Sequence, residues 1–193
     1  KTSVYYCRTV LRLDTTERAF LRRHGVERVY LRFFDVAMRG GEPMPNATLR
    51  VADTLPAGIE VVPTVFIVEN CLRADTADTE LNLLARRIVD RVLTMCATND
   101  LPQPRQMQLD YDWTRTTQPA YFRLLTHMRR LLADKDMRLS VTIRLHQLSM
   151  AAPPADYGVL MVYNTGSPER LTDRNPVLDY RDAQPYLSRV ARY

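Results

Sequence analysis

Asp110 and Asp112 stand two residues apart in QMQLDYDWT, Gln106–Thr114, directly before Trp113, the single tryptophan of the chain. The segment is strand-like. In a strand, side chains at i and i+2 leave by the same face, so the two carboxyl groups share one side while Leu109, Tyr111 and Trp113 take the other. Carboxyl groups held this close can divide acid and base roles between them. A neighbouring cation would instead lock them into a purely structural ion pair, and Arg144 and Arg32 are the residues able to do so. RLSVTIRLHQL repeats the alternation and sets Arg144 and His146 on one face. Arg144 is suited to neutralising Asp112 or gripping a hydroxyl or acidic substituent. His146 is suited to donating to a hydroxyl or carrying a proton, or else to sitting in the core with its hydrogen bonds satisfied. Asp35 and Glu69 follow two other apolar runs and are further carboxylates at strand ends, or else surface residues.

The elements that must position these groups are legible from periodicity. SVYYCRTVL, VERVYLRFFDV, IEVVPTVFIV, QMQLDYDW, RLSVTIRLHQL and YGVLMVYN read as six strands. The third is a nearly continuous apolar run of the kind buried on both faces of a parallel sheet. TTERAFLRRHG is a helix capped by Asp14 or Thr15 and stopped by Gly25. A long helix runs from about Asp78 to Met95, and Thr117 and Pro119 open another in QPAYFRLLTHMRRLLAD. AQPYLSRVAR is a last amphipathic stretch. Residues 37–58 lack helical period and form a long Gly- and Pro-rich loop, with ATLRV as a short excursion strand.

Strands alternating with helices specify an α/β fold with a parallel sheet. A doubly wound sheet announces a glycine-rich phosphate loop, and none of the six glycines lies in such a place. Polar residues near several strand ends instead suit the mouth of a TIM-type (β/α) barrel. Six strands fall short of the usual eight, so the barrel is incomplete or the chain is truncated at its C-terminus. The first and sixth strands should border a gap, and NPVLDYRDAQPYLSRVARY should pack across part of it.

Composition bounds the rest. The 193 residues, 46% of them hydrophobic, suffice for a single domain with a real core. The net charge of +5 is spread over helical patterns such as LARRIVDRV and HMRRLLADKD, as on solvated helix faces, so no nucleic-acid partner is expected. No apolar run reaches the length of a transmembrane segment. No signal peptide is visible, although the start at Lys1 leaves room for a segment removed ahead of it. Cys7, Cys71 and Cys96 match neither a zinc spacing nor a disulfide framework and read as core or free thiols. No His, Asp and Glu set has metal spacing, so neither metal nor other cofactor is expected.

LDYDWT resembles the fourth-strand D-x-x-D-x-D-x-E motif of the family 18 glycoside hydrolases, the chitinase group. LMVYNTGS resembles the sixth-strand M-x-Y-D motif of the same family and follows in the right order. The whole chain, with YLRFFDV, VVPTVFIV and RLSVTIRLHQLSM, is also similar to a group of glycoside-hydrolase-like barrel proteins of the cell envelope. The resemblance implies a carbohydrate-active protein, secreted or in the envelope, that acts on or binds a polysaccharide or glycoconjugate at the mouth of the barrel. If the chain is a working enzyme, Asp112 is the choice for acid and Asp110 for the group that tunes it. Tyr163, Asn164, Arg144, His146 and Trp113 become substrate-binding residues, with Trp113 the best placed of the aromatics to stack on a sugar. Asp35 and Glu69 become candidates for the second carboxylate that glycoside hydrolysis needs. The departures are as informative. The motif's first aspartate falls on Met107 and its proton-donating glutamate on Thr114, whose hydroxyl cannot act as a general acid near neutral pH. On the sixth strand Tyr163 is kept, and the aspartate falls on Asn164. A catalytically inactive glycan-binding or scaffold protein on the same barrel is the alternative.

Overall fold

The structure is a computed structural model that describes residues 2–163, 180–188 and 190. Its elements run β1 (Thr2–Tyr6), β2 (Val10–Leu11), α1 (Thr15–Arg23), β3 (Val26–Arg39), β4 (Glu42–Asn46), β5 (Arg50–Val51) and β6 (Glu60–Ile67), then α2 (Asp78–Thr98), β7 (Gln106–Asp110), α3 (Gln118–Ala133), β8 (Arg138–Arg144), β9 (Tyr157–Met161) and α4 (Tyr180–Leu187). Short 3-10 turns at Glu69–Cys71 and Leu145–Ser149 follow β6 and β8.

Local chemistry accounts for the boundaries. Asp14 caps α1 through a reciprocal box: its Oδ1 accepts from Glu17 N at 2.7 Å, and Glu17 Oε2 accepts from Asp14 N at 3.0 Å. Gly25, at φ +55, takes the left-handed conformation that ends the helix. Residues 37–58 are more ordered than their composition suggests. β3 continues to Arg39, Gly40 and Gly41 turn with φ of +60 and +86, and β4 returns antiparallel on β3. Paired glycines with positive φ are a hairpin turn, and the edge position of β4 tolerates Pro43 and Pro45. ATLRV supplies β5, which pairs with β2 and so divides the first predicted strand in two.

Six parallel strands pair in the order β1-β3-β6-β7-β8-β9. Sequential order without a reversal is the winding of a barrel rather than of a doubly wound sheet. The sheet is curled. Tyr5 Oη on β1 donates to Gln108 Oε1 on β7 at 2.8 Å, although β3 and β6 lie between them. On a flat sheet three strand spacings, about 14 Å, would separate those strands. Tyr5 also stacks on Tyr30 of β3, with ring centroids 4.7 Å apart. The convex face carries the core, where Met107, Leu109, Val141 and Ile143 pack against α2 and α3. Each of those helices turns a continuous apolar stripe inward, Leu81 through Cys96 on α2 and Ala120 through Leu132 on α3.

The result is an incomplete TIM-type half-barrel. Among the described residues β1 and β9 end the sheet without pairing to each other, as the six-strand pattern requires. α4 packs on the Leu145–Ser149 turn, with Ala183 buried. Much of the segment expected across the gap lies outside the described residues. Two crossovers depart from strict alternation: β3 reaches β6 through the β4 hairpin, and β8 reaches β9 through a 3-10 turn.

Gln108 is fully buried and, among the described residues, its Nε2 has no partner, so Tyr5→Phe would leave the whole amide unpaired there. The expected cost is about 1–2 kcal/mol, read as a lower urea midpoint. An unchanged midpoint would remove Tyr5–Gln108 as a tie across the curl. Cys7 is exposed, Cys71 is buried with its thiol donating to Val36 O at 3.2 Å, and burial pushes the Cys96 thiol up to about 11. One thiol should therefore react fast with Ellman's reagent in the native protein and all three in denaturant. Fast native labelling of a second cysteine would contradict this packing.

Candidate functional site

The site begins where β7 stops. Tyr111 and Trp113 are fully buried on the helix side: Tyr111 lies 5.0 Å from Tyr121, and Trp113 packs edge-on at 5.5 Å against Phe122 of α3. Two aromatic anchors at alternate positions force the intervening carboxyl groups to the concave face. Asp110 and Asp112 thus both point to the barrel side at its C-terminal mouth. Tyr111 Oη also donates to Glu69 O at 3.2 Å, fixing the turn after β6 beside the segment after β7.

Arg144, the last residue of β8, meets both acids. Its Nη2 donates to Asp110 Oδ1 at 3.2 Å, its Nε donates to Asp112 Oδ1, and its Nη1 donates to Tyr163 Oη at 2.8 Å. Asp110 Oδ1 also accepts from Thr142 Oγ1 at 2.7 Å. Burial works against the Arg144 charge, but the Asp112 hydrogen bond and the charges of Asp110 and Asp112 outweigh it and raise the guanidinium above the usual arginine range. One cation is therefore shared between the ends of β7, β8 and β9.

A second arginine–carboxylate unit lies on β3. The register slips by one residue between Arg32 and Phe34, a bulge that turns Arg32 and Asp35 to the same face. Arg32 grips Asp35 in a fork of two 2.7 Å bonds and lies 5.1 Å above the Phe66 ring. Asp35 is buried and committed to that partner, so it is neither a surface residue nor a carboxylate of the Arg144 cluster. Glu69 is exposed at the cluster, and among the described residues it makes no ion pair.

Glu69, Asp112, Thr114, Arg144, His146 and Tyr163 line an open depression of about 450 Å³, drawn from the ends of β6, β7, β8 and β9. His146 reaches it from the 3-10 turn rather than from a strand, because β8 ends at Arg144, and the residue is exposed rather than packed in the core. Thr114 N donates to Thr117 Oγ1 at 3.0 Å, which places Thr114 in the turn opening α3. Trp113 requires a correction: expected to stack on a sugar, it instead has its ring buried in the helix layer, because odd positions here face the core. Asn164 lies outside the described residues. Among the described residues no three His, Cys, Asp or Glu are placed to hold a metal ion. No described helix is long and apolar enough to cross a membrane.

Gln147 is the residue that pattern reading misses. Fully buried, it accepts from Arg144 N at 2.7 Å and donates to Trp113 O at 2.9 Å, locking β8 to the segment that carries Asp112. Its only sequence signal is a glutamine three residues after Arg144, which means nothing until the turn folds.

No family model and no curated protein matches the chain. Solved structures do. A chitinase from Chromobacterium violaceum matches over 100% of this chain and 65% of its own, at 15% identity and a TM-score of 0.56. The spore cortex-lytic enzyme SleL of Bacillus megaterium matches over 98% of this chain and 47% of its own, at 15% identity and a TM-score of 0.59. The chain carries a glycoside-hydrolase-like barrel fold. A third match, catalytic domain 2 of the Group II chitinase of Ostrinia furnacalis, solved in complex with penta-N-acetylchitooctaose, covers 97% of this chain and 60% of its own at 11% identity and a TM-score of 0.53. The chain thus spans between about half and two thirds of the neighbours it resembles.

Gln147→Leu strips a partner from both Arg144 N–H and Trp113 C=O in a buried site. The expected loss is about 2–4 kcal/mol of unfolding free energy, measured by urea denaturation. Wild-type stability in that variant would show that the turn does not depend on the amide.

Proposed function

We propose that the protein recognises a polysaccharide or glycoconjugate chain at the C-terminal mouth of its half-barrel. The observation that carries this reading is the convergence of Glu69, Asp112, Arg144, His146 and Tyr163 on one open depression at four consecutive strand ends. Ligands of parallel barrels gather at that face. Carboxylate, guanidinium, imidazole and phenol together present the mixed donors and acceptors that a polyhydroxylated ligand requires. Tyr163 is 43% exposed and takes the stacking role that Trp113 cannot. The likeness to chitinases supports the reading at the level of fold. A secreted or envelope location accords with it.

Binding without turnover is the form we favour, because Arg144 already engages both Asp110 and Asp112. Hydrolysis is the second reading, and Glu69 is the observation in its favour: an exposed carboxyl group in the same depression, free of ion pairs among the described residues. In that case Glu69 supplies the proton and Asp112, steered by Arg144, assists across the bond.

The test is a glycan array with hydrolysis products followed in parallel. Saturable binding to at least one glycan is expected, weakened roughly tenfold by Tyr163→Ala together with His146→Ala, both at exposed positions where folding is spared. Products that vanish in Glu69→Gln, with binding retained, would select hydrolysis. An array with no bound glycan and no product would refute the proposal.

A further inference from the structure

At the opposite end of the half-barrel the amino ends of β3, β6, β7, β8 and β9 surround a second depression of about 520 Å³, lined by Arg28, Glu60, Arg105, Arg138 and Tyr157 among others. Its charges are unequal. Arg28 and Glu60 cancel through a 2.7 Å ion pair. Arg105 and Arg138 are not cancelled within the depression's own lining, and the Arg138 N to Arg105 O hydrogen bond at 2.9 Å sets their backbones side by side. Arg105 is exposed and makes no ion pair among the described residues. Arg138 is 64% exposed, and its ion pair with Asp156 is long, 3.9 Å, to a carboxylate already held by Arg129 at 2.9 Å and by Leu139 N. Arg105, with no ion pair among the described residues, and Arg138, with only its long contact to Asp156, line one rim, and guanidinium groups there have donors to offer an oxyanion.

Beside them Tyr157 is 55% exposed, a large amphipathic ring open to solvent at the first position of β9. An arginine pair alone would suit any anion. An arginine pair with one aromatic face suits an anion carried on a compact body with a flat apolar side, which a pyranose ring supplies. A single ring is a poor platform for nucleic acid, which stacks successive bases on successive aromatics. The inner face of β9 joins this depression to the mouth: Val159 lines the basal one and Met161 the upper one. Side chains at alternate positions share that face, and about 13 Å of strand separates Tyr157 from Met161.

We infer that the base of the half-barrel is a second binding site, for a saccharide bearing sulfate, phosphate or carboxylate, held by Arg105 and Arg138 and seated on Tyr157. The site stands independently of the mouth, so it would survive the failure of the reading given for Arg144 and Tyr163. Isothermal titration of the full chain with a sulfated oligosaccharide, its desulfated counterpart, inorganic sulfate and a short single-stranded oligonucleotide tests it. The sulfated saccharide should bind the tightest of the four. Arg105→Gln together with Arg138→Gln should weaken it at least about tenfold with thermal midpoint unchanged, since both side chains are exposed. Tyr157→Ala should bring its affinity down towards that of inorganic sulfate. Equal affinity for inorganic sulfate and the saccharide in the wild-type protein, tighter binding of the oligonucleotide, or a double variant that binds as wild type does would each overturn the inference.

Discussion

The Arg144 guanidinium is the interaction on which the mouth depends. Two carboxyl groups on one face of β7 and its extension repel each other unless a cation lies between them. A cation on the neighbouring strand removes that conflict and ties three strand ends together. The exposures decide how the stabilisation divides. Asp112 is 55% exposed, so its pairing with Arg144 falls near the exposed range of about 0–1 kcal/mol. Asp110, at 23%, also accepts from Thr142 and carries more of the structural role. The outer acid is therefore held in place yet open to a ligand, whereas the inner one belongs to the wall.

That clamp works only because its neighbours are rigid. Gln147 holds the backbone of Arg144 from below, and Tyr111 and Trp113 hold the backbone on either side of Asp112 from behind. A functional cluster needs such support, since side chains whose own rotamers are unsecured lose geometry by fractions of an ångström that matter to recognition. The bulge in β3 does comparable work on the other side of Phe66, turning Arg32 and Asp35 to one face where a regular strand would part them. Both arginine–carboxylate units face inward, so the concave side is polar and the convex side apolar. This division lets an open half-barrel keep one core on its outer face while its interior stays accessible.

The fold and the function remain separate conclusions. A barrel of this kind hosts many chemistries, and likeness of backbone at 15% identity speaks to the winding of the sheet rather than to what sits at its mouth. The functional reading rests instead on which side chains the strand ends bring together.

The six strands, their parallel winding, the shared face of Asp110 and Asp112 and the approach of Arg144 were all determined by the sequence itself, because strand alternation has a period of two and adjacent strands place equivalent positions side by side. Local rules of that kind need no knowledge of the rest of the molecule. Trp113 shows where they stop: alternation puts it opposite the acids, but only the packing of α3 reveals that this opposite side is the core. Gln147, the Arg32–Asp35 pair and the arginines at the base were invisible for a related reason. A 3-10 turn, a one-residue bulge and the curl that brings Tyr5 over Gln108 each arise from contacts between segments far apart in the chain, and no spacing within one segment encodes them. Tertiary structure decided which polar groups were spent on one another and which were left facing open space.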